Sequence, residues 1–312
     1  MLANNNEAII NKLAKNSVKT NKKQYAILFF TIILSAFMLF CVFTIGMTYL
    51  NSSRLQNTRL NGAEYDIVTM NGFTSEQLNT LQQNENIRSV GIESYAGFIQ
   101  STEYDKTVEI GLLWCDEVFW DNLMSPARTK LDGHYPQNKN ELMVTKHILK
   151  TCGNENLSVG DSLILTYENN TGVYTDEFVI SGIWDGYGDT SAGFVSKAFY
   201  DETGYDLKNN GILCIKLNCN YVFPTTIQSI EKSLDFSDRQ IFAPTGYIEN
   251  SFKLLLGICG LALVICLSAY LLIYNILYLS VSGKIRYYGL LQSLGMTKKQ
   301  LVRFIIKQMI LV

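Results

Sequence analysis

Two stretches of the chain, residues 24–53 and 254–283, contain no Asp, Glu, Lys, Arg or His. A helix needs roughly twenty apolar residues to cross the hydrocarbon core of a bilayer, so the stretches predict transmembrane helices at 25–50 and 252–281. The first stretch is too long for the apolar core of a secretory signal peptide, which has about 7–15 residues. A buried helix of a large soluble core is the alternative for the second, and so long a run without a charge disfavours it.

Basic residues precede the first stretch and follow the second. Those before the first stretch are Lys12, Lys15, Lys19, Lys22 and Lys23, and those after the second are Lys284, Arg286, Lys298, Lys299, Arg303 and Lys307. Short basic flanks remain on the cytoplasmic side of a membrane. We therefore expect a multi-pass protein of the cell membrane, with a cytoplasmic N-terminus and with residues 51–251 outside the cytoplasm.

An amphipathic helix is predicted within residues 1–24, ahead of the first uncharged stretch. Its apolar positions at helical spacing are Ile9, Ile10, Leu13, Ala14 and Val18, opposite the lysines. Such a helix can lie in the inner leaflet of the bilayer, with its lysines against anionic headgroups. A solvated N-terminal tail is the alternative.

The region between the two stretches shows short elements of mixed type. The expected strands cover 64–70, 87–100, 108–114, 163–167, 177–183 and 211–217. The expected helices run from Thr74 or Ser75 to Gln83, from Asp116 to Met124, and from Pro224 onwards with Ile227, Ile230 and Leu234 on one face. Asn169–Gly172 is typical of a hairpin turn. This alternation predicts an α+β domain inserted between the first and second transmembrane helices of an α-helical membrane protein.

No pattern typical of catalysis or metal binding occurs in the chain. His134 and His147 have no partner at metal-ligand spacing, and Asp185 with Asp189 fits a solvated turn better than a calcium site. No glycine-rich phosphate loop ends in Lys-Ser or Lys-Thr, so we expect no cofactor in this chain and no enzymatic activity. No basic tract interleaved with aromatic residues indicates a nucleic-acid partner.

The seven cysteines show no metal-ligand spacing, and three of them lie in the uncharged stretches. Cysteine in such surroundings is usually a small buried apolar side chain. Cys115 with Cys152, and Cys214 with Cys219, are the disulfide pairs to consider. Sequence spacing does not decide whether either pair is bonded.

Residues 282–297 read as a short amphipathic helix between basic flanks. The apolar residues on one face are Tyr287, Leu290, Leu291 and Leu294. Gly295 is placed to end this helix, and Thr297 to cap the next one, 298–312, which we interpret as the truncated start of a third transmembrane helix. The short helix suits docking on a cytoplasmic partner, and a plain interfacial loop helix is the alternative.

This segment resembles the coupling region of FtsX/MacB-type ABC transporter permeases. The matching residues are Gly289-Leu290-Leu291, Leu294-Gly295-Met296 and Lys298-Lys299. Many members of that family carry an acidic residue where this chain has Tyr288. A second resemblance, to the MacB-like periplasmic core domain, comes from Leu131–Pro136, Asn140–Val144, Leu157–Asp161 and Phe178–Ile183.

The resemblance implies that the chain is the N-terminal part of a permease subunit. Such a subunit transmits ATP-driven motion of a separate cytoplasmic ABC ATPase, which holds ATP and Mg²⁺, to an extracellular domain. The resemblance further implies a second permease copy or half, the lipid bilayer and an extracellular peptide or lipid ligand as partners. The residues implied in coupling are Tyr287, Gly289, Leu290, Leu291, Leu294, Gly295 and Met296. A membrane-anchored sensor, or a regulator of cell-wall hydrolases without a transport role, is the alternative function.

Overall fold

The computed structural model describes residues 7–100, 110–188 and 191–310, without the side chains of the last two. The start of the predicted strand 108–114 and the residue Asp189 lie outside the described residues. The chain divides into two compact units, one formed by Met1–Thr48 with Leu256–Val312 and the other by Tyr49–Leu255. Each unit is described by itself below.

The described residues form ten α-helices, ten strands and two short helical turns of other types. The helices are α1 (Glu7–Thr20), α2 (Lys22–Asn61), α3 (Ser75–Gln83), α4 (Lys146–Thr151), α5 (Lys197–Tyr200), α6 (Leu207–Asn210), α7 (Pro224–Lys232), α8 (Gly246–Ser282), α9 (Ile285–Ser293) and α10 (Lys298–Ile310), with a π-helix at Val118–Leu123 and a 3-10 turn at Ser125–Ala127. The strands are β1 (Ile67–Met70), β2 (Ile87–Ile99), β3 (Ile110–Cys115), β4 (Lys130–Gly133), β5 (Glu141–Thr145), β6 (Ser162–Asn169), β7 (Gly172–Asp185), β8 (Ala192–Val195), β9 (Gly211–Leu217) and β10 (Ile241–Pro244).

Among the described residues, α2 and α8 are the two helices long and apolar enough to cross a membrane. Only 6% of the most apolar window of each helix is buried in the protein, which separates both from the core helices of a soluble domain. Each helix also extends past its predicted bounds of 25–50 and 252–281. The extension of α2 continues through polar residues because neither Gly nor Pro interrupts it before Gly62, whose φ is +69°.

A glycine allows the two long helices to approach each other within the first unit. A Cβ atom on Gly46 of α2 would lie 2.6 Å from Cδ1 of Ile258 on α8. Small residues at such contacts let helix backbones come close in a membrane, where packing replaces the hydrophobic effect as the driving force. Gly46 therefore fixes one contact between α2 and α8.

One half of the second unit is a four-stranded antiparallel sheet in the order β10-β1-β9-β2. The chain order β1-α3-β2, followed later by β9-α7-β10, gives this half the connectivity of a ferredoxin-like split βαβ motif. Helices α3 and α7 contribute Leu81, Ile227 and Ile230 to a core that also contains Ile67 and Ile215 of the sheet. Apolar residues at helical and strand spacing thus meet in one layer between helices and sheet.

The other half is inserted between β2 and β9 and forms a closed ring of strand pairs. The pairs follow the cycle β2-β3-β8-β5-β7-β6 and return to β2, where β6 meets its far end. The interior of the ring is filled by buried apolar side chains, among them Ile110, Leu112, Leu142, Phe178 and Ile180. Strand β2 belongs to both halves, since Ile87 to Ser94 pair with β9 and Glu93 to Ile99 pair with β3.

Several local predictions are confirmed and others are corrected. Thr74 caps α3 in a capping box with Gln77, and Asn169 pairs with Gly172 across the hairpin of β6 and β7. The mixed α+β class of the domain is also confirmed. The predicted helix from Asp116 to Met124 is the six-residue π-helix, and Leu234 lies beyond α7. Strands β4, β5, β8 and β10 were not predicted from the alternation pattern.

All seven cysteines are free, so neither candidate disulfide pair forms. Cys115 and Cys214 are buried in the core of the second unit, and Cys219 is exposed. Burial raises the pKa of both buried thiols well above the usual value. Thiols of this kind are unreactive, because the thiolate is the nucleophile.

A buried ion pair ties the start of β1 to β9. Nζ of Lys216 lies 3.2 Å from Oδ2 of Asp66 and 3.1 Å from Oε1 of Glu64. The Asp66 carboxylate also accepts a hydrogen bond of 2.9 Å from the backbone N–H of Leu217. The backbone carbonyl of Asp66 accepts one of 2.8 Å from the N–H of Thr245. Burial raises the pKa of Asp66, and Lys216 opposes that effect.

We predict that Glu93 makes the stability of the chain depend on pH. Burial raises the pKa of this carboxyl, on β2, from 4.5 to about 7. Between these values the folded chain holds the proton and the unfolded chain does not, so stability falls as pH rises through this window. Glu93→Gln should remove this loss and stabilise the chain at pH 8 by about 1–3 kcal/mol, since one pKa unit is worth about 1.4 kcal/mol.

The measurement is thermal unfolding of the purified chain at pH 5 and pH 8. Glu117→Gln is the matched control, because Glu117 is an exposed carboxylate of the same domain. A Glu93→Gln chain that loses as much stability as the parent between these two pH values would contradict the prediction.

Candidate functional site

The segment after α8 folds as two helices that meet at a four-residue corner, Leu294–Thr297. The predicted helix 282–297 is shorter in the structure, where α9 covers Ile285–Ser293. The remaining residues of the prediction form the turns at either end of α9. The corner therefore holds three of the seven residues implied in coupling, namely Leu294, Gly295 and Met296.

Gly295 ends α9 as the sequence predicts. Its φ of +100° lies in the left-handed region, which costs a residue with a Cβ atom about 1–2 kcal/mol. The N–H of Met296 donates to the carbonyl of Leu291 at 3.0 Å, and the N–H of Gly295 donates to that of Gln292 at 3.0 Å. This pair of bonds is a Schellman motif, which satisfies carbonyls that the helix end would otherwise leave open.

Thr297 caps α10 without any intervening linker, which also confirms its prediction. The Thr297 N–H donates to Oε1 of Gln300 at 3.0 Å, and the Gln300 N–H donates back to the Thr297 hydroxyl at 3.3 Å. This reciprocal arrangement is a capping box. Because the end of α9 and the start of α10 are both capped, the angle between the helices is set by backbone hydrogen bonds.

The apolar residues of α9 divide between an exposed face and a covered one. Tyr287, Leu290 and Leu294 are exposed, by 39%, 64% and 83% respectively. Leu291 is instead half-buried against a cluster that contains Tyr288 and Phe304. Leu291 therefore supports α9 from behind, whereas the sequence placed it on the same face as the other three.

The remaining residues implied in coupling have different surroundings. Gly289 is exposed, and a Cβ atom built on it would meet no atom within 4 Å. Met296 is half-buried. Tyr288 is 7% exposed and packs its ring edge-on against Phe304. Many FtsX/MacB-type permeases carry an acidic residue at this position. This position is thus part of the packing in the chain and contributes no surface charge.

The amphipathic helix α1 packs its apolar face on α10. Ile10 and Ala14 are buried in one cluster with Phe304, and Leu301 and Ile305 pack around them. The predicted helix is confirmed at Glu7–Thr20, but the apolar face that the sequence assigned to the inner leaflet is used for contact with α10. The reason is that α10 presents a matching apolar stripe.

The third transmembrane helix expected at 298–312 is not among the candidate spans of the described residues. Over its described length α10 is amphipathic, with Leu301, Phe304 and Ile305 toward α1 and the lysines and arginine at other positions. A charge at Lys298, Lys299, Arg303 and Lys307 breaks the apolar run. The expectation of a membrane span from this segment remains a prediction.

The described histidines and acidic residues of the second unit show no cluster that could hold a metal ion. No group of three or more His, Cys, Asp or Glu side chains that could hold a metal ion occurs within residues 7–100, 110–188 and 191–310. The His134 ring is exposed, with Nδ1 at 3.0 Å from the carbonyl oxygen of Tyr135. His134 thus has the environment of an ordinary surface residue, and His147 is half-buried.

A cavity of about 600 Å³ in the second unit was not predicted from the sequence. Its lining residues are Trp114, Cys115, Asp116, Glu117, Trp120, Asp121, Tyr135, Pro136, Gln137 and Lys197. The rings of Trp120 and Tyr135 lie 5.0 Å apart, and the Tyr135 hydroxyl donates to the carbonyls of Cys115 and Val195. No local sequence motif predicts this cavity, because its walls come from three separate segments that only the fold brings together.

The chain shows weak similarity to a number of solved structures, among them the following two. One is the periplasmic region of MacB from Actinobacillus actinomycetemcomitans, with a TM-score of 0.41 and 13% identity over 62% of this chain and 95% of that one. The other is a domain of a permease candidate from Porphyromonas gingivalis, with a TM-score of 0.35 and 9% identity over 58% of this chain and 89% of that one. No family model and no curated protein matches the chain. TM-scores below 0.5 do not establish a common fold, so function has to be argued from the residues of this chain.

We predict that Gly295→Ala loosens the corner between α9 and α10. A Cβ atom at a φ of +100° costs about 1–2 kcal/mol, which the last turn of α9 must absorb by opening. The expected result is amide hydrogen exchange about tenfold faster in the last turn of α9, since about 1.4 kcal/mol is a factor of ten.

Gly289→Ala is the matched control, because Gly289 lies within α9 and has open space where the methyl group would go. Alanine is the better helix former by about 1 kcal/mol, so exchange in α9 should slow or stay unchanged. Equal acceleration by both substitutions would show that Gly295 has no special role in the corner.

Proposed function

We propose that this chain is a permease subunit of an ABC transporter of the FtsX/MacB type, or the N-terminal part of one. It lies in the cell membrane with residues 51–251 outside, and it carries motion from a cytoplasmic ATPase to that outer domain. The observation that carries the proposal is the fixed corner of α9 and α10, which presents three exposed apolar side chains directly after a helix of membrane length. The choice of this transporter family rests on the resemblance of the motifs around Gly289 and Gly295.

The exposed face of α9 supports docking on a protein partner. Tyr287, Leu290 and Leu294 form an apolar strip on a segment that is otherwise basic. An apolar strip rimmed by polar residues marks an interaction site more often than an idle surface. A short helix with apolar side chains at such spacing fits a groove on a partner, and the capped corner keeps the strip in one orientation.

The long helix α8 supports the transmission of motion. It runs without a proline from Gly246 to Ser282, about 55 Å at the α-helical rise of 1.5 Å per residue. Its outer end directly follows β10, and β10 pairs with β1, the strand that follows α2. Sliding of α8 along α2 would therefore shear the β10–β1 pairing of the outer domain.

The partners follow from this role. ATP and Mg²⁺ are held by the separate ATPase, so this chain is not itself an enzyme. A second permease copy or half completes the transporter in the bilayer. The cavity beside Trp120 and Tyr135 is the place where an extracellular peptide or lipid ligand would bind, because its lining combines aromatic rings with acidic side chains.

We predict that the outer domain is accessible from outside the cell and the α9–α10 corner is not. The exposed native thiol Cys219 should react with a membrane-impermeant maleimide in intact cells. Cys219→Ser should abolish that labelling, and Asn170→Cys in the hairpin turn should restore it. Lys298→Cys in the same background should react only after the membrane is opened. Labelling of Lys298→Cys in intact cells would refute the proposed orientation.

We predict that the exposed strip of α9 binds the ATPase. Leu290→Glu and Leu294→Glu should each reduce its recovery with the chain from native membranes by at least about tenfold, because a charge would be buried in the interface. A photo-crosslinker at Leu290 should give an adduct with a protein that binds an ATP analogue. Charged substitution of Leu291 should also weaken binding, but through loss of the packing with Tyr288.

Ile285→Glu is the matched control, since Ile285 is an exposed apolar residue of α9 on the side away from the strip. It should leave recovery of the ATPase and membrane insertion intact. If Leu290→Glu and Leu294→Glu chains insert normally and bind the ATPase like the parent, the strip is not the docking surface. If no ATP-binding protein is recovered with the parent chain, a sensor without an ATPase becomes the better account.

A further inference from the structure

Two buried hydrogen-bond donors without a partner lie at one end of the long apolar helices. Nζ of Lys284 and Nε2 of Gln308 are both covered, and neither has an acceptor within hydrogen-bond distance among the residues that the structure describes. Gln308 is only 3% exposed. Buried donors are almost always satisfied in native proteins, so this pair indicates an acceptor that the chain itself does not supply.

Tyr25 brings the two donors to one place. Its hydroxyl donates to Oε1 of Gln308 at 3.1 Å, which leaves the amide nitrogen of Gln308 as the open donor. Nζ of Lys284 lies 5.5 Å from the centre of the Tyr25 ring. Since both open atoms are donors and one is charged, the missing partner is an anion.

The depth of these residues indicates the source of that anion. Lys284 is the first charged residue after the uncharged stretch 254–283, and Tyr25 is the second residue of the stretch 24–53. Tyrosine and lysine at the ends of apolar helices occupy the headgroup layer of a bilayer. Lipid phosphates lie in that same layer.

The charge of the surrounding unit favours the cytoplasmic leaflet. The segments 1–48 and 256–312 contain eleven basic residues and one acidic residue, Glu7. Basic pockets between helices on the cytoplasmic side attract anionic headgroups. An acidic segment of a protein would meet the exposed Lys298 and Lys299 first, whereas Gln308 is buried and Lys284 is half-buried with its Nζ atom covered.

We infer that Lys284 and Gln308, both next to Tyr25, bind the phosphate of an anionic phospholipid from the cytoplasmic leaflet. The Lys284 ammonium supplies the charge, and the Gln308 amide supplies a second, directional hydrogen bond. The bound phosphate would link Lys284, which precedes α9, to Gln308 of α10 and hold α10 against the start of α2. This inference needs the membrane placement of the chain but not its pairing with an ATPase.

The test measures lipid binding to the purified full chain by native mass spectrometry, with phosphatidylglycerol, phosphatidylcholine and inorganic phosphate as probes. Lys284→Gln should lower the affinity for phosphatidylglycerol by about tenfold, the worth of one charge-assisted hydrogen bond. Lys284→Arg should retain most of the affinity. Lys12→Gln, which removes an exposed lysine of the same unit, should change it by less than twofold.

Four results would overturn the inference. Equal losses from Lys284→Gln and Lys12→Gln would show diffuse attraction by surface charge. Displacement of phosphatidylglycerol by inorganic phosphate at similar concentration would show a site for the free anion, and tighter binding of an acidic peptide would show a protein partner. If Lys284→Gln does not fold, Gln308→Leu takes its place, and unaltered lipid binding by a folded Gln308→Leu chain would also refute the site. Failure of the ATPase test leaves each of these results unaffected.

Discussion

The pairing of β1 with its two neighbours is the constraint on which the arrangement of the outer domain depends. β1 has only four residues, yet it joins β9 on one side and β10 on the other, and it directly follows α2. Asp66 holds the start of β1 in place. It accepts hydrogen bonds from the N–H groups of Leu217 and Thr245 and forms an ion pair with Lys216. Removing one partner of a buried ion pair is costly because the other charge is left without compensation. The chain ends that enter and leave the membrane helices are thereby held to one sheet.

A second constraint acts at the corner of α9 and α10, and it uses backbone geometry in place of charge. A Schellman motif at Gly295 and a capping box at Thr297 share a turn of four residues. Each motif satisfies groups that a helix end leaves open, so neither helix can lengthen or shorten without losing hydrogen bonds. The exposed strip on α9 therefore keeps its direction relative to α10. Packing of α1 on α10 adds a support that depends on Phe304 and Ala14.

The sequence reveals these local features because each depends on a few neighbouring residues. The two apolar helices follow from composition, the α3 cap from Thr74 and Gln77, and the corner from Gly295 and Thr297. Short strands such as β4 and β8 escape detection because tertiary pairing, and not their four residues, stabilises them. The inward turn of Leu291 could not be foreseen either. It lies close to the exposed strip on a helical wheel, and only the position of Phe304 on a later helix decides which side is covered.

The cavity beside Trp120 and the donors around Tyr25 share a reason for being missed. Both are assembled from residues far apart in the chain, since Tyr25 and Gln308 are separated by 283 positions. Periodicity and motif spacing report contacts within one helix or strand. They carry no information on contacts between residues that are distant in the sequence.

Strand β2 has a consequence for how the outer domain can be taken apart. Its first part lies in the ferredoxin-like sheet and its last part in the ring of strands, with a register shift between Tyr95 and Gly97. Neither half can be excised with a complete set of strands, because both halves use β2. Any cut through β2 removes part of a strand from one of the halves. The outer domain should accordingly melt as one cooperative body.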